Sequence, residues 1–314
     1  MKGPVFERIA IIGAGLIGSS IARAASGKIA AAEVAIWDRD ESVRARAHAL
    51  ELGTVTETAA AAVRDSDCII LCVPVGALAD VTQAIRSDLA EGAILTDVGS
   101  VKADALASMQ THTPNGVHLI PGHPIAGTEA SGPDAGFPGL FEDAWHILTP
   151  LDSGNPAYRT AVERLTTFWE TLGARVECMD AARHDRVLAI TSHLPHLIAF
   201  NIVATAYDME SVDEGEVVKY SAGGFRDFTR IAASDPTMWR DVFLANKDAV
   251  LETLGRFSED LAALQRAIRW GDGDALYRQF ERARGIRKAI IDAGMDSDAV
   301  NFGRGGPGSD PKRD

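Results

Sequence analysis

The chain of 314 residues has few cysteines, and their spacing is not that of a metal site or of a disulfide framework. Its three cysteines are Cys68, Cys72 and Cys178. The first two lie within the apolar segment 67–73, which is predicted to be a strand, and Cys178 ends another short predicted strand. An odd number of cysteines in such positions predicts buried, reduced thiols, with no disulfide and no bound metal.

The sequence also lacks basic runs and unbroken apolar runs. Its 31 lysines and arginines are outnumbered by 44 aspartates and glutamates, which gives a formal net charge of −13. This balance argues against nucleic acid and anionic membranes as partners, because basic patches recognise both. The sequence has no unbroken run of about 18 apolar residues, so no membrane-spanning helix is predicted. Residues 1–8 lack the apolar core of a signal peptide, so we expect a cytoplasmic protein.

A glycine-rich turn follows the first predicted strand, residues 8–12. The turn is Gly13-Ala14-Gly15-Leu16-Ile17-Gly18, and a predicted helix over residues 19–26 follows it. In dinucleotide-binding proteins the first glycine permits a tight turn, the second lets the pyrophosphate approach and the third allows close helix packing. Asp38 ends the second predicted strand, where a carboxylate contacts the adenosine ribose. The Asp38 carboxylate would repel the 2′-phosphate of NADP, so it favours NAD as the cofactor. The adjacent Arg39 could instead bind that phosphate.

Strand-like and helix-like segments continue to alternate through the first half, which predicts a doubly wound parallel sheet. At its expected carboxyl edge, where such folds bind ligands, His123 lies between Pro121-Gly122 and Pro124, in a predicted non-helical loop. An imidazole exchanges protons near neutral pH, so His123 is a candidate proton acceptor. Considered by itself, His123 could instead be a histidine that only packs within a loop rich in glycine and proline. Pro74 and Ser100 also end predicted strands, beside an expected nicotinamide, and Ser100 alternatively caps the next helix.

The second half of the chain is predicted to be mainly helical. Residues 181–207 are apolar on more than one face, which is typical of a helix buried between subunits. Within it, His193 and His196 are spaced i, i+3 on one face, and no carboxylate or cysteine cluster accompanies them to suggest a metal site. Arg226 and Arg230 are spaced i, i+4 beside a helix junction. They are candidates for an anion site, the alternative being a solvated helix face.

Together these motifs resemble those of the prephenate/arogenate (cyclohexadienyl) dehydrogenase family of tyrosine biosynthesis. The resemblance covers roughly residues 8–293. Besides the glycine-rich turn, it rests on four segments: Asp97-Val98-Gly99-Ser100-Val101-Lys102, Gly122-His123-Pro124-Ile125-Ala126-Gly127, His193-Leu194-Pro195-His196 and Phe225-Arg226-Asp227-Phe228-Thr229-Arg230. It implies a Rossmann-like dinucleotide-binding domain over residues 1–179 and an all-α dimerisation and substrate domain over residues 180–294. Residues 295–314, rich in glycine, aspartate and proline, are predicted to be a disordered tail.

The resemblance also implies an activity and roles for single residues. The activity is NAD-dependent oxidative decarboxylation of prephenate or arogenate by a homodimer. His123 is similar to the catalytic histidine that bonds the ring hydroxyl, and Ser100 to the serine that links this hydroxyl to the nicotinamide. Arg230 resembles the arginine that holds a substrate carboxylate. The substrate site is further implied to include Thr128, Glu129, His193, His196 and Arg226, the last replacing a lysine of some members.

Two other functions remain open from the residues alone. A β-hydroxyacid or 6-phosphogluconate-type dehydrogenase also joins a dinucleotide-binding domain to helices. It would need a catalytic lysine in the helical part, where Lys219 and Lys247 lie in no convincing motif. The second alternative is a non-catalytic sensor or scaffold that binds NAD.

Overall fold

A computed structural model describes residues 3–128, 130–210 and 223–292. Its backbone contacts divide the chain into two units, the first ending at Thr253 and the second beginning at Leu254. The predicted tail, residues 295–314, lies outside the described residues, and so do Glu129 and Lys219. Every other candidate site residue belongs to the first unit.

Six strands form a parallel sheet in the order β3-β2-β1-β4-β5-β6. These strands are β1 Phe6–Ile12, β2 Ala31–Trp37, β3 Thr54–Val55, β4 Cys68–Leu71, β5 Ile94–Asp97 and β6 His118–Leu119. The predicted doubly wound sheet is therefore confirmed. Strand order reverses between β1 and β4, and ligands of open α/β sheets bind beyond the carboxyl ends of the strands at such a point.

Five helices connect these strands: α1 Leu16–Gly27, α2 Glu41–Ala49, α3 Ala59–Val63, α4 Leu78–Ile85 and α5 Ala103–Gln110. Successive side chains of β1 enter two different apolar clusters, because neighbours on a strand point to opposite faces. Ile9 and Ile11 belong to one cluster, and Ala10 and Ile12 to the other. The sheet is thus buried on both faces. The sequence pattern predicted a helix over residues 103–110, which agrees with α5, but it did not predict β3 and α3.

The segment that carries His123 is a strand, so the predicted loop is wrong. β7, Gly122–Pro124, pairs antiparallel with β8, Trp145–Leu148, and β8 pairs parallel with β9, Arg175–Cys178. These strands form a separate sheet. The alternation of strands and helices had instead predicted residues 145–148 as one more strand of the parallel sheet, so that prediction is wrong. The flanking ladder bonds use the Pro121 carbonyl and the Ile125 N–H. Pro124 lies between these positions, where its missing N–H interrupts no bond to β8.

From residue 156 onwards the described chain is mainly helical apart from β9, as predicted for the second half. The helices are α6 Pro156–Thr171, α7 Ala181–Leu188, α8 Leu194–Glu210, α9 Gly223–Thr229, α10 Pro236–Ala245, α11 Lys247–Trp270 and α12 Gly273–Asp292. Two predicted helices differ from those observed. A π-helical turn, Ala189–His193, interrupts the predicted helix 181–207 just before Pro195, whose ring excludes regular helical bonding. Residues 238–270 were predicted from their amphipathic pattern to form one helix, but the chain is divided at Asn246 into α10 and α11.

The helical stretch Ala181–Met209 has an apolar outer face. By length and composition alone it could cross a membrane, so the expectation of no such helix fails on this criterion. Polar residues interrupt the stretch, which is why no unbroken apolar run was found. Only 28% of its most apolar window is buried within the chain. Exposed side chains include Ile190, Ile202, Tyr207 and Met209, and an apolar surface of this kind is typical of a protein interface.

All three cysteines are unpaired thiols. Cys68 on β4 is buried, and burial raises the pKa of its thiol. Cys72 is half-buried, whereas Cys178 is exposed. The prediction of burial is wrong for Cys178 because β9 lies at the edge of the three-stranded sheet.

Candidate active site

The glycine-rich turn between β1 and α1 has the geometry that its motif predicts. A Cβ at Gly13, where φ is +102°, would lie 2.3 Å from the Cys72 carbonyl oxygen. A Cβ at Gly18 would lie 2.0 Å from the Gly13 carbonyl oxygen, so α1 packs closely on the turn. No atom lies within 4 Å of a Cβ at Gly15. That space, beside an α1 N-terminus whose first turn carries no acidic residue, suits a pyrophosphate.

Asp38 directly follows β2 and reaches back to the glycine-rich turn. Its carboxylate accepts hydrogen bonds from the backbone N–H groups of Ala14 and Asp40, both at 2.9 Å. Arg44 donates to the Asp38 and Arg39 carbonyls at 2.8 and 3.3 Å, so a second guanidinium, which sequence reasoning missed, lies here. A helix N-terminus for phosphates and a carboxylate for ribose hydroxyls together fit a dinucleotide.

His123 lies on β7 and is only 9% exposed. Its Nδ1 is 2.9 Å from Nε2 of His184 on α7, and the two rings meet edge to face. Nδ1 of His184 is in turn 2.8 Å from the Asp185 carboxylate. Nε2 of His123 has no hydrogen-bond partner in the described parts of the chain. Sequence reasoning did not predict the contribution of His184 and Asp185.

The surroundings of His123 favour its neutral form. Burial lowers the pKa of His123 well below its ordinary value of 6.5, and its neighbours His184, Lys102, His146 and His193 lower it further. The imidazole is therefore unprotonated near neutral pH and can accept a proton there. A titration close to the ordinary value, the simplest expectation for a histidine, does not fit this environment.

A buried ion pair holds the backbone next to His123. Lys102 and Asp97 are both fully buried, with Nζ of the lysine against a carboxylate oxygen of the aspartate. Lys102 also donates to the Gly122 carbonyl at 2.7 Å, while Asp97 accepts from the Gly122 N–H at 3.2 Å. Asp97 accepts from the Gly99 N–H as well, at 2.8 Å. The pair thus fixes both the strand that carries His123 and the loop that leads to Ser100.

Ser100 is half-buried in the loop between β5 and α5. It does not cap α5, so that alternative is wrong. The N-cap position is Lys102, and the Asp185 carboxylate accepts from the N–H groups of Lys102 and Ala103 at 2.8 and 2.9 Å. The Ser100 hydroxyl makes no hydrogen bond within the described residues.

Pro74 follows β4 at an exposed position, at the start of the 3₁₀ turn Val75–Ala77. This turn packs closely against α10: a Cβ at Gly76 would lie only 3.0 Å from the carboxylate of Asp241 on that helix. A helix from the second half of the chain therefore lies against the end of β4.

His193 and His196 share a face, as predicted, and both contact Trp239 of α10. His196 stacks on the indole at a centroid distance of 3.8 Å, and His193 meets it edge-on at 6.1 Å. His193 is fully buried, with Nδ1 3.1 Å from the side-chain amide of Asn246, a residue that sequence reasoning missed. Burial lowers the pKa of His193 to about 4. Burial also lowers the pKa of His196.

The two predicted anion-binding arginines lie in different surroundings. Arg230 is the first residue of a 3₁₀ turn and lies close to His196. Burial is the main cause that lowers the pKa of His196, and the positive charge of Arg230 lowers it further. Arg226, on α9, is 78% exposed, with its guanidinium 3.9 Å from the Asp227 carboxylate. Thr128 is exposed, and its hydroxyl accepts from the Ala130 N–H at 3.2 Å. Within the described residues, neither Arg226 nor Thr128 bonds to the histidines.

Two family models match most of the chain. The family model described as the prephenate dehydrogenase nucleotide-binding domain matches residues 21–178, and that of the prephenate dehydrogenase dimerization domain matches residues 180–282. The chain is 45% identical to a cyclohexadienyl dehydrogenase of Zymomonas mobilis subsp. mobilis over 287 residues. These make up 91% of this chain and 97% of the relative.

Two crystal structures of similar proteins each cover 90% of this chain. One is prephenate dehydrogenase from A. aeolicus in complex with hydroxyphenyl propionate and NAD+. Its TM-score is 0.82 at 32% identity, over 90% of this chain and 98% of that chain. The other is Synechocystis arogenate dehydrogenase, with a TM-score of 0.72 at 25% identity, over 90% of this chain and 99% of that chain.

Proposed function

The chain belongs to the prephenate dehydrogenase family, and we propose that His123 is the proton acceptor of its reaction. The activity is the NAD-dependent oxidative decarboxylation of prephenate or arogenate, which yields 4-hydroxyphenylpyruvate or tyrosine in tyrosine biosynthesis. One observation carries the assignment to His123: its imidazole is buried and lies beside His184 through Nδ1, while its Nε2 has no hydrogen-bond partner in the described chain.

When bound, NAD would supply the oxidant, because its nicotinamide would be the acceptor for a hydride from the ring carbon that bears the hydroxyl. Gly13, Gly15 and Gly18 form the turn for its pyrophosphate, and Leu16 and Ile17 begin the helix above it. Pro74 would border the nicotinamide. His123 receives the proton of the ring hydroxyl as this group becomes a carbonyl. Ser100 orients the hydroxyl. As the ring carboxylate leaves as carbon dioxide, the electrons of its C–C bond make the ring aromatic, and the former carbonyl oxygen takes the proton back from His123 to give the phenol.

The remaining residues bind the substrate. Arg230 pairs with a substrate carboxylate, and His196, held on Trp239, provides a second polar contact beside it. The site further includes the residues Thr128, Glu129, His193 and Arg226, the last of which has the weakest structural support because it is exposed. An arginine that held the ring carboxylate tightly would oppose its loss as carbon dioxide. We therefore expect Arg230 to contribute mainly by binding and orienting the substrate.

The function is tested by following NADH formation with prephenate and with arogenate in parallel assays, which also decides between the two substrates. A β-hydroxyacid serves as the control substrate. Turnover of the β-hydroxyacid alone would favour the β-hydroxyacid dehydrogenase alternative. Binding of NAD without turnover of any of the three would favour a sensor.

Changing Arg230 to glutamine should raise KM for the dienyl substrate about 10- to 100-fold, with little change in NAD binding. The reason is that a charge-assisted contact contributes roughly 1.5–3 kcal/mol to binding. Arg226→Gln is the matched control, and we expect a small effect because its guanidinium is largely solvated. Equal effects in both variants would instead place the two arginines in one anion site.

Asp38 should determine the choice of cofactor. In Asp38→Ser the carboxylate that repels a 2′-phosphate is lost while Arg39 and Arg44 remain nearby, so the preference for NAD over NADP should narrow. Asp40→Ser is the matched control, because serine can still cap α2 and the removed carboxylate lies two residues away. The measurement is kcat/KM with each cofactor. A native protein that prefers NADP would contradict the prediction.

We further propose a cytoplasmic homodimer, assembled through the predicted helical domain that starts at residue 180. The match to a dimerization domain from residue 180 and the exposed apolar face of Ala181–Met209 support this assembly. Light scattering should give twice the chain mass of 33.4 kDa. A single-chain mass at micromolar concentration would contradict the dimer.

A further inference from the structure

We propose that His184 is a positioning residue that fixes which nitrogen of His123 is protonated and shares the proton that His123 takes up. The proposal rests on the function assigned to His123 above. It concerns a chain of three buried side chains, His123, His184 and Asp185, in which only His123 is placed to meet the substrate.

The chain begins at Asp185, whose carboxylate can only accept hydrogen bonds. Oδ1 accepts from the Lys102 N–H at 2.8 Å and Oδ2 from the Ala103 N–H at 2.9 Å, at the N-terminus of α5. The carboxylate is therefore held in place by backbone donors, where the helix dipole favours negative charge. Since Nδ1 of His184 lies 2.8 Å from Oδ1, this nitrogen must be the donor.

The position of one hydrogen then fixes the next. A neutral His184 protonated on Nδ1 has a lone pair on Nε2, which can only accept. Nδ1 of His123, at 2.9 Å from that nitrogen, must donate to it. His123 is thereby protonated on Nδ1, and the lone pair of its Nε2 is available to the substrate hydroxyl. Without His184, the other tautomer of His123 would present an N–H, which cannot accept a proton.

The same chain handles the proton after it arrives. One proton leaves the substrate hydroxyl for Nε2 of His123, while the two electrons of the C–H bond leave with the hydride for NAD. An imidazolium at this buried position would be unfavourable. The Nδ1 proton can instead move across 2.9 Å to Nε2 of His184, whose Nδ1–H stays bonded to Asp185. The positive charge then lies next to a carboxylate.

Among the described residues, no other group that faces His123 provides this path. Lys102 is cationic and is already paired with Asp97. His193 bonds to Asn246 through Nδ1. His146 on β8 is fully buried and stacks on Trp169 at 3.7 Å, and neither of its nitrogens has a partner in the described structure. His146 is therefore a matched control: it is as buried as His184, is also close to His123, and lacks a connection to a carboxylate.

The first test is nuclear magnetic resonance of the cofactor-free protein with ¹⁵N-labelled histidine, which reports the tautomer of each ring. His123 and His184 should both be protonated on Nδ1. His184→Leu should shift His123 toward the Nε2-protonated form. His184→Gln should preserve the native tautomer, because its amide oxygen can accept from His123. His146→Leu should leave it unchanged.

Kinetics of the same variants provide the second test. His184→Leu should lower kcat about 10- to 100-fold, as the loss of an outer-shell partner typically does, with a smaller change in KM. His184→Gln should restore part of this loss, and His146→Leu should change thermal stability more than kcat.

Three results would overturn the proposal: native His123 protonated on Nε2, an unchanged tautomer in His184→Leu, or equal losses in His184→Leu and His146→Leu. If His184→Leu does not fold, the native tautomer and His184→Gln still decide. A native protein that turns over neither dienyl substrate would refute the proposed function, whereas the tautomer measurement would remain interpretable.

Discussion

Replacing His123 with asparagine is expected to lower kcat about 10²–10⁴-fold, the usual range for a lost general base, with little change in KM. The asparagine amide can still donate to Nε2 of His184, as Nδ1 of His123 does now. What it cannot do is take up the proton of the ring hydroxyl. Because that proton moves only as the hydride leaves, the missing interaction belongs to the transition state rather than to the bound substrate.

The pH dependence of kcat gives an independent check on the same residue. His123 acts when unprotonated, so kcat should fall as the pH falls through its pKa. Burial keeps this pKa below 6.5, and the acid limb should therefore lie below pH 6.5. His123→Asn should have no such limb. If it keeps the limb and kcat while KM rises, His123 is a binding residue, and the acceptor must be sought at His193 or His196.

Acid unfolding must be separated from this limb. Burial lowers the pKa values of both His123 and His146 in the folded protein. The unfolded chain therefore binds protons at these two rings more strongly than the folded protein does. Below about pH 6.5, folding stability should therefore decrease as the pH decreases. Circular dichroism recorded at each pH identifies the range in which the loss of kcat occurs in folded protein.

Local patterns predicted the parts of the site that depend on neighbouring residues. The glycine-rich turn needs only a strand, three glycines at fixed spacing and a helix, all within residues 6–27. Asp38 was found because the cofactor-binding unit places an acidic residue at the end of β2. His123 was found from its flanking prolines and glycines, although the strand β7 was not. A three-residue strand exists only through its partner, here β8, and no local pattern specifies that pairing.

Contacts between distant segments could not be predicted in this way. His184 is 61 residues from His123, and Asn246 is 61 residues from Asp185, whose carbonyl it bonds. His184 and Asp185 lie near the start of the predicted helix 181–207, among residues whose composition is that of an ordinary solvated turn. Their burial follows from the packing of α7 against the start of α5, which depends on the whole fold.

Lys102→Met should be the most destabilising of the single changes considered. The lysine is fully buried, and its removal leaves the buried Asp97 carboxylate without its cation and the Gly122 carbonyl without its donor. Breaking a buried pair from one side typically costs about 3–5 kcal/mol. For a unit of this size that corresponds to a melting temperature lower by roughly 5–20 °C. Chemical denaturation should give the matching loss in the free energy of unfolding.

Two controls show whether the buried charge is the cause. Lys28→Met breaks the partly exposed pair with Glu142, at 2.9 Å, and should change stability by no more than about 1 kcal/mol. Adding Asp97→Asn to Lys102→Met removes the unpaired charge and should recover part of the loss. A Lys102→Met variant as stable as Lys28→Met would mean that the Gly99 and Gly122 N–H groups suffice to hold Asp97. The pair would then not be what keeps β7, and with it His123, in place.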